Sequence, residues 1–495
     1  MSCCGFVCWY RHTTRQSQKQ FIDYFQEYSN YRTMERRPDP TNKRQSSAAQ
    51  LLQTATSLRP VSPPPVQLYN NHAPHSRKTF KVVGDGVFNQ NFTGYRRRTS
   101  TSDTTDSTTE LDFWTLPSHI NNTVDVYVPP EVGKLVENLL HRTNIWYNVT
   151  IDDLHSFIVK SERRLRKRRK RDVNTFDFTD YQDFDSMERY LRSVSQRYPN
   201  ITKLYAIGRT HEQRFLWVMQ IGNSNYRKPA IWLDAGMHAR EWAAPHTALY
   251  AIQQLVENYG HDREITYIVD NVRWYIAPNL NPDGYVYSWS SPHPKVRLWR
   301  KNRSPRYCSL VFNRHYCCQG VDLNRNFNAR WNGKGHSSVI ACHSYFHGKA
   351  PFSEPESVAV RDFVSPRTEI TAFLSLHTYG QLWLHPFGYE LENYPNDVQE
   401  LKRLANKAVR ALRSVEGTRF KVGTAADLWF SVPGTSIDWA KELGIKYAYL
   451  LELRPVKGTG KQGFFIDRKQ LVATARETWA ALKVLALDIA SKGFR

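Results

Sequence analysis

Beyond Asp172 the chain alternates short, nearly unbroken apolar runs with longer segments whose apolar residues recur at helical spacing. No other feature constrains the fold as strongly. Runs such as AIWLDAG (230–236) and KYAYLLELR (446–454) offer almost no polar face to water, so both sides of each must be covered. Around them, SMERYLRSVSQRYP, APHTALYAIQQLVENYG and LVATARETWAALKVLALDIASK read as helices. KLYAIGRT and FLWVMQIG read as a hairpin pair, and VRWYIAPNLNPDGY as a strand running into a turn. Strands alternating with helices predict an α/β fold, with a mixed, mostly parallel twisted sheet covered by helices on both faces.

The first third of the chain reads differently. Residues 1–75 are polar, carry the Pro-rich stretch RPVSPPPVQ, show no apolar period and are expected to be disordered. Residues 76–160 hold short structured signals: strands in KTFKVVG, VDVYVPPE and IWYNVTI, and helices in EVGKLVENLLHRTN and IDDLHSFIVKSERR. That composition predicts a small α+β unit. It ends in the block SERRLRKRRKRD, assigned with its flank to a linker at 161–173, and a third unit spans 174–495. The net charge of +22 is unevenly spread, and this block is almost unbroken Arg and Lys, which suits a solvated linker, a nucleic-acid patch or a protease cleavage site.

The seven cysteines fall into two groups, Cys3, Cys4 and Cys8 at the start and Cys308, Cys317, Cys318 and Cys342 late in the chain. An odd number leaves at least one thiol free or paired between molecules, and the later four suffice for two disulfides in an oxidising compartment. No apolar run reaches the ~20 residues that span a membrane. The N-terminus lacks the apolar stretch of a secretory signal, and its cysteines are also candidates for S-acylation.

Five stretches carry chemistry. In GMHAREW, His238 and Glu241 follow an apolar strand and stand three apart, close enough for both to reach one metal ion. In LSLHTYG, His377 ends another apolar run. Two imidazoles and one carboxylate with an open fourth position are the composition of a catalytic zinc site, whereas any one of these histidines alone is more simply a buried, backbone-satisfied residue. In YAYLLELRP, Glu452 interrupts a buried strand, where a carboxylate is costly unless it is paired, for instance with Arg454, or serves as a general base. RLWRKNRS and GVDLNRNF supply Arg297, Arg300, Asn324 and Arg325, donors suited to an anionic substrate group or, singly, to solvent.

Taken together and in this order, these stretches resemble the carboxypeptidase A/B family of zinc peptidases, and NPDGY, GTSIDW and the RETWAAL helix match as well. The resemblance covers roughly 174–495. It implies an exopeptidase that removes single C-terminal residues from peptides and proteins, with one Zn²⁺ per chain held by His238, Glu241 and His377. It further implies Glu452 as general base, Arg300 as the group that polarises the scissile carbonyl, and Asn324 with Arg325 as the clamp on the terminal carboxylate. Arg240, Arg297 and Tyr379 would line outer subsites, and Asp322 would orient His238. The 76–160 unit would be the activation prosegment, and the basic block a cleavage site for a furin-like or trypsin-like protease rather than a nucleic-acid surface. A Cys318–Cys342 disulfide, an additional Cys308–Cys317 pair, secretion and a monomeric state complete what the family pattern implies.

The sequence departs from that pattern in three places. Phe430 stands where family members usually carry a Tyr six residues before the Ser of the SIDW stretch. Ile437 occupies the position that is acidic in relatives cutting after basic residues, which predicts apolar C-terminal residues; with Val432, Thr435 and Leu450 narrowing the pocket, aliphatic side chains are favoured over large aromatic ones. Residues 88–110 are polar where the prosegment should be helical. The competing readings are a catalytically weak or inactive peptide-binding relative, an enzyme for basic residues and a cytosolic relative acting on protein tails.

Overall fold

The computed structural model describes residues 78–83, 111–114, 123–143, 145–163, 165, 176–222, 228–311, 314–455 and 463–493. The expected disordered segment 1–75, the stretch 88–110 and most of the basic block lie outside these residues.

In chain order the strands are β1 (Lys78–Val83), β2 (Asp112–Phe113), β3 (Thr123–Val128), β4 (Tyr147–Ile151), β5 (Thr202–Arg209), β6 (Phe215–Ile221) and β7 (Ala230–Ala235). They continue with β8 (Arg273–Ala277), β9 (Arg306–Val311), β10 (Arg314–Gln319), β11 (Ile370–Thr378), β12 (Leu382–Leu384), β13 (Lys421–Gly423) and β14 (Tyr447–Leu453). Among the described residues the larger sheet has eight strands in the order β13-β12-β14-β11-β7-β8-β6-β5. Its centre, β14-β11-β7-β8, is wholly parallel, whereas β5, β6 and β12 join antiparallel to their inner neighbours. The expected mixed, largely parallel sheet is therefore present, and KLYAIGRT and FLWVMQIG form its antiparallel edge.

Alternation along the central strands loads two cores. Ile231, Leu233 and Ala235 of β7, with Leu374 and Leu376 of β11, pack against the helices Ala243–Glu257, Val398–Glu416 and Arg468–Lys492. Trp232 and Phe373 face the other way, towards Val360 and Phe363 of helix Pro355–Val364 and Trp439 of helix Ser436–Glu442. Carboxylate caps start several helices: Asp183, Asp262 and Asp467 each accept from a backbone N–H three residues on. The NPDGY segment, read as a turn, instead opens helix Pro282–Ser290. Asn281 accepts from Gly284 N and Pro282 sits in the first turn, a start signal that resembles a turn when read locally.

The earlier unit is a four-stranded sheet in the order β2-β3-β1-β4 with helices Gly133–Arg142 and Leu154–Ser161. Its own core includes Val126, Val128, Val136 and Leu140. Packing continues past the helix into the expected linker, where Glu162 and Leu165 are buried.

Candidate active site

The site stands at the carboxyl ends of three adjacent parallel strands, β7, β11 and β14, where an α/β sheet opens towards solvent. Parallel register places His377 directly beside Glu452, and Leu376 beside Ala235, three residues before His238. Residues far apart in sequence meet because each lies at the same level of the sheet.

His238 Nδ1 and His377 Nδ1 are 3.0 Å apart, and Glu241 reaches them with Oε1 at 2.7 Å and Oε2 at 3.0 Å respectively. The far nitrogens are also engaged. His238 Nε2 lies 3.0 Å from Asp322 Oδ1, and His377 Nε2 lies 3.2 Å from Ser375 Oγ, whose hydroxyl donates to Asp234 Oδ1 at 2.6 Å. Each Nε2 therefore carries its proton outward, which leaves both Nδ1 lone pairs converging with a carboxylate. Three acceptors facing one another repel unless a cation lies between them, so the donor set fits a metal ion; imidazole nitrogen with carboxylate oxygen is the chemistry of zinc. The Ser375–Asp234 relay was not anticipated. Its trace in the sequence is the two-residue spacing that puts Ser375 on the same strand face as His377.

Asp322 is held from three sides. Arg300 contributes Nε at 3.0 Å and a second nitrogen at 2.9 Å, and Arg325 stands 3.9 Å away. Burial works against this carboxyl's charge, but Arg300, Arg325 and His238 together hold it well below the ordinary carboxylate range.

One cleft is lined by His238, Glu241 and Glu452 together with Arg240, Arg300, Asn324, Arg325, Tyr379, Phe430 and Ile437. Asn324 accepts from Ser436 N and Arg325 donates to Asn324 O, so the two are fixed by backbone rather than by solvent. Arg454 does not serve as the partner of Glu452: its guanidinium is bound by Glu477 and Thr418. Arg297 is not in the cleft wall. It lies buried behind it, with its guanidinium 3.4 Å over the Trp242 ring. Tyr345 is an addition that the sequence did not single out. It stands half-buried between Arg300 and Arg325, its ring 5.2 and 5.3 Å from their guanidinium carbons.

Residues 187–481 match the zinc carboxypeptidase family, and residues 103–161 match the carboxypeptidase activation peptide. The chain belongs to the zinc carboxypeptidase family. Carboxypeptidase A2 of Mus musculus is 37% identical over 378 residues, covering 76% of this chain and 86% of that protein. Carboxypeptidase A4 of Mus musculus is 35% identical over 408 residues, covering 82% of this chain and 93% of that protein. The crystal structure of thrombin activatable fibrinolysis inhibitor matches with a TM-score of 0.70 at 26% identity, over 84% of this chain and 99% of the other. This protein is a zinc metallocarboxypeptidase that carries an activation peptide, and its substrates are the C-terminal ends of peptides.

The activation peptide of the carboxypeptidase meets the cleft directly. Asp112 pairs with Arg240 at 2.8 Å, and Tyr379 donates to Asp125 at 3.0 Å. Glu162 pairs with Arg297, and Trp114 lines the cleft edge-on to Phe464. Cys318–Cys342 and Cys308–Cys317 are both bonded; the second directly bridges opposed positions of the β9–β10 hairpin. Among the described residues no helix is long and apolar enough to cross a membrane.

Proposed function

We propose that the carboxypeptidase removes apolar, preferentially aliphatic, C-terminal residues, with His238, Glu241 and His377 as the zinc ligands and Glu452 as general base. The observation that carries the reading is the side-by-side register of His377 and Glu452 above a convergent two-imidazole, one-carboxylate cluster. When bound, the metal supplies Lewis-acid activation of water and of the scissile carbonyl. The chain's own residues do the rest. Glu452 takes the proton of the attacking water and delivers it to the leaving amine. Arg300, held by Asp322, offers its guanidinium to the oxygen that becomes negative. Asn324 and Arg325 bind the terminal carboxylate, for which the guanidinium fork is the matching shape. Arg240, Arg297 and Tyr379 serve the residues upstream; Arg240 and Tyr379 are engaged by Asp112 and Asp125 of the activation peptide, and Arg297, engaged by Glu162 just beyond it, reaches substrate only once Glu162 has left.

The preference rests on Ile437, Val432, Thr435, Leu450 and Leu384, which line the cleft with apolar surface and provide no charge for a basic side chain. Cutting within the basic block by a furin-like or trypsin-like protease would release the activation peptide, dividing the chain into the prosegment (76–160), linker (161–173) and enzyme (174–495) expected from the sequence. Two disulfides support secretion. The test is C-terminal trimming by the cleaved form on peptides that differ only in their last residue, with zinc content measured in parallel and Glu452→Gln as control. The variant is expected to keep its zinc and lose at least ~10²-fold in kcat. Preference for Lys or Arg, or full turnover by Glu452→Gln, overturns the reading.

A further inference from the structure

A second group of metal-type donors lies apart from the cleft. His211, on the turn between β5 and β6, approaches Glu354 and Glu356 at the start of helix Pro355–Val364, and one potential ligand atom from each lies within 4.8 Å of the others. His211 Nε2 is 3.2 Å from Glu354 Oε2. Asn302 donates to Glu354 Oε2 at 2.8 Å and to Glu356 Oε2 at 2.9 Å, so its amide draws the two carboxyl groups together. Tyr307 and Ser353 donate to the other oxygen of Glu354. Glu356 Oε1, by contrast, is enclosed and has no hydrogen-bond partner.

Two adjacent carboxyl groups at 0% and 1% exposure carry a large desolvation cost. Among the described residues, neither is within ion-pair distance of a lysine or arginine, and the one ion pair is that of Glu354 with His211. The two carboxyl groups therefore have no cationic partner other than the His211 imidazole, and Glu356, which carries the unsatisfied oxygen, belongs to the same cluster. The His211 side chain is 26% exposed, which gives an ion a route in from solvent.

We propose that His211, Glu354 and Glu356 form a second divalent-cation site, separate from the catalytic centre. One imidazole and two carboxylates favour a borderline ion of the Zn²⁺ or Mn²⁺ kind over Ca²⁺ or Mg²⁺, which prefer oxygen throughout. The site has a structural role. Asn302 lies two residues after Arg300, and its Oδ1 accepts from Val321 N, next to Asp322. An ion at His211 would tie the β5–β6 turn and helix Pro355–Val364 to the segment that presents Arg300 and Asp322.

The test uses the full chain, stripped with chelator and dialysed against buffered micromolar Zn²⁺, with metal content read by mass spectrometry and unfolding followed with and without metal. Two equivalents per chain are expected for the parent and one for both Glu356→Gln and His211→Phe. A His377→Ala chain is expected to retain one equivalent, which separates this site from the catalytic one. The metal-dependent rise in Tm is expected to shrink in Glu356→Gln and His211→Phe. His211 is partly exposed, so its replacement keeps the experiment readable if Glu356→Gln does not fold. A single equivalent in the parent, or a second equivalent that persists in both variants, overturns the proposal.

Discussion

Glu162→Gln is expected to open the uncleaved carboxypeptidase. Glu162 and Arg297 are 4% and 1% exposed, and the carboxylate bonds Arg297 Nε directly across the boundary between activation peptide and enzyme. The arginine is otherwise well held, by Arg240 O at 3.1 Å, by Phe464 O at 3.4 Å and by the ring of Trp242, so the variant leaves its position unchanged and removes only the opposite charge. Gln keeps a neutral hydrogen bond. The loss is then the charged part of the interaction, ~1.5–3 kcal/mol, or ~10–150-fold in the equilibrium between covered and open cleft. When the peptide lifts away, water reaches Arg297, so this cost falls on docking rather than on the enzyme's fold. Initial-rate hydrolysis of a small blocked dipeptide by the uncleaved chain, expressed relative to the cleaved form, reads the open fraction. The comparison variant is Asp112→Asn, whose carboxylate is 24% exposed and whose pair with Arg240 is worth less, up to ~1 kcal/mol. The reasoning is refuted if basal hydrolysis by Glu162→Gln stays within twofold of the parent, or if Asp112→Asn opens the chain more.

Phe430 packs against His336 with ring centroids 3.9 Å apart and lines the cleft. Phe430→Tyr is expected to lower KM by ~10–150-fold, the worth of one hydroxyl bond to a charged group, with little change in kcat; steady-state kinetics check it, and an unchanged KM counts against the hydroxyl's role. Asp322→Asn is expected to weaken zinc binding ~10–100-fold, as measured by competition with a chelating dye, because the imidazole of His238 loses the acceptor that orients it. Burial pushes the Asp438 carboxyl up to about 7, although Gly388 N donates to it. The folded chain thus binds a proton there that the unfolded chain has released, and stability from this group falls as pH rises from the unfolded value near ~4 to about 7, by at most ~1.4 kcal/mol per unit. Denaturant titrations at several pH values are expected to show that slope diminished in Asp438→Asn; an unchanged slope assigns it to other groups.

Much of the catalytic cluster was legible before any coordinates. Apolar runs with no polar face dictated a covered sheet, and His238, Glu241, His377 and Glu452 stood out because each breaks or ends such a run with a group that is costly to bury. Other features left little local signature. NPDGY carries turn residues and yet caps a helix, since Asn281 does the same bonding in both settings. Ser375 and Asp234 are ordinary residues until β7 and β11 pair and bring them within 2.6 Å. Arg297 reads as one basic residue among several in RLWRKNRS; its burial behind the cleft wall comes from Trp242 and Glu162, neither of which is near it in sequence.

Sequence alone determined the inventory: which side chains carry ligand or donor chemistry and which strands cannot face water, because these follow from chemistry and period within a few residues. Tertiary structure decided the geometry. Only parallel pairing in one register sets His377 beside Glu452, and only docking of the activation peptide turns Asp112, Asp125 and Glu162 into partners of the enzyme's own Arg240, Tyr379 and Arg297. These three pairs join residues up to 254 positions apart, as Asp125 and Tyr379 are, and no local spacing encodes them.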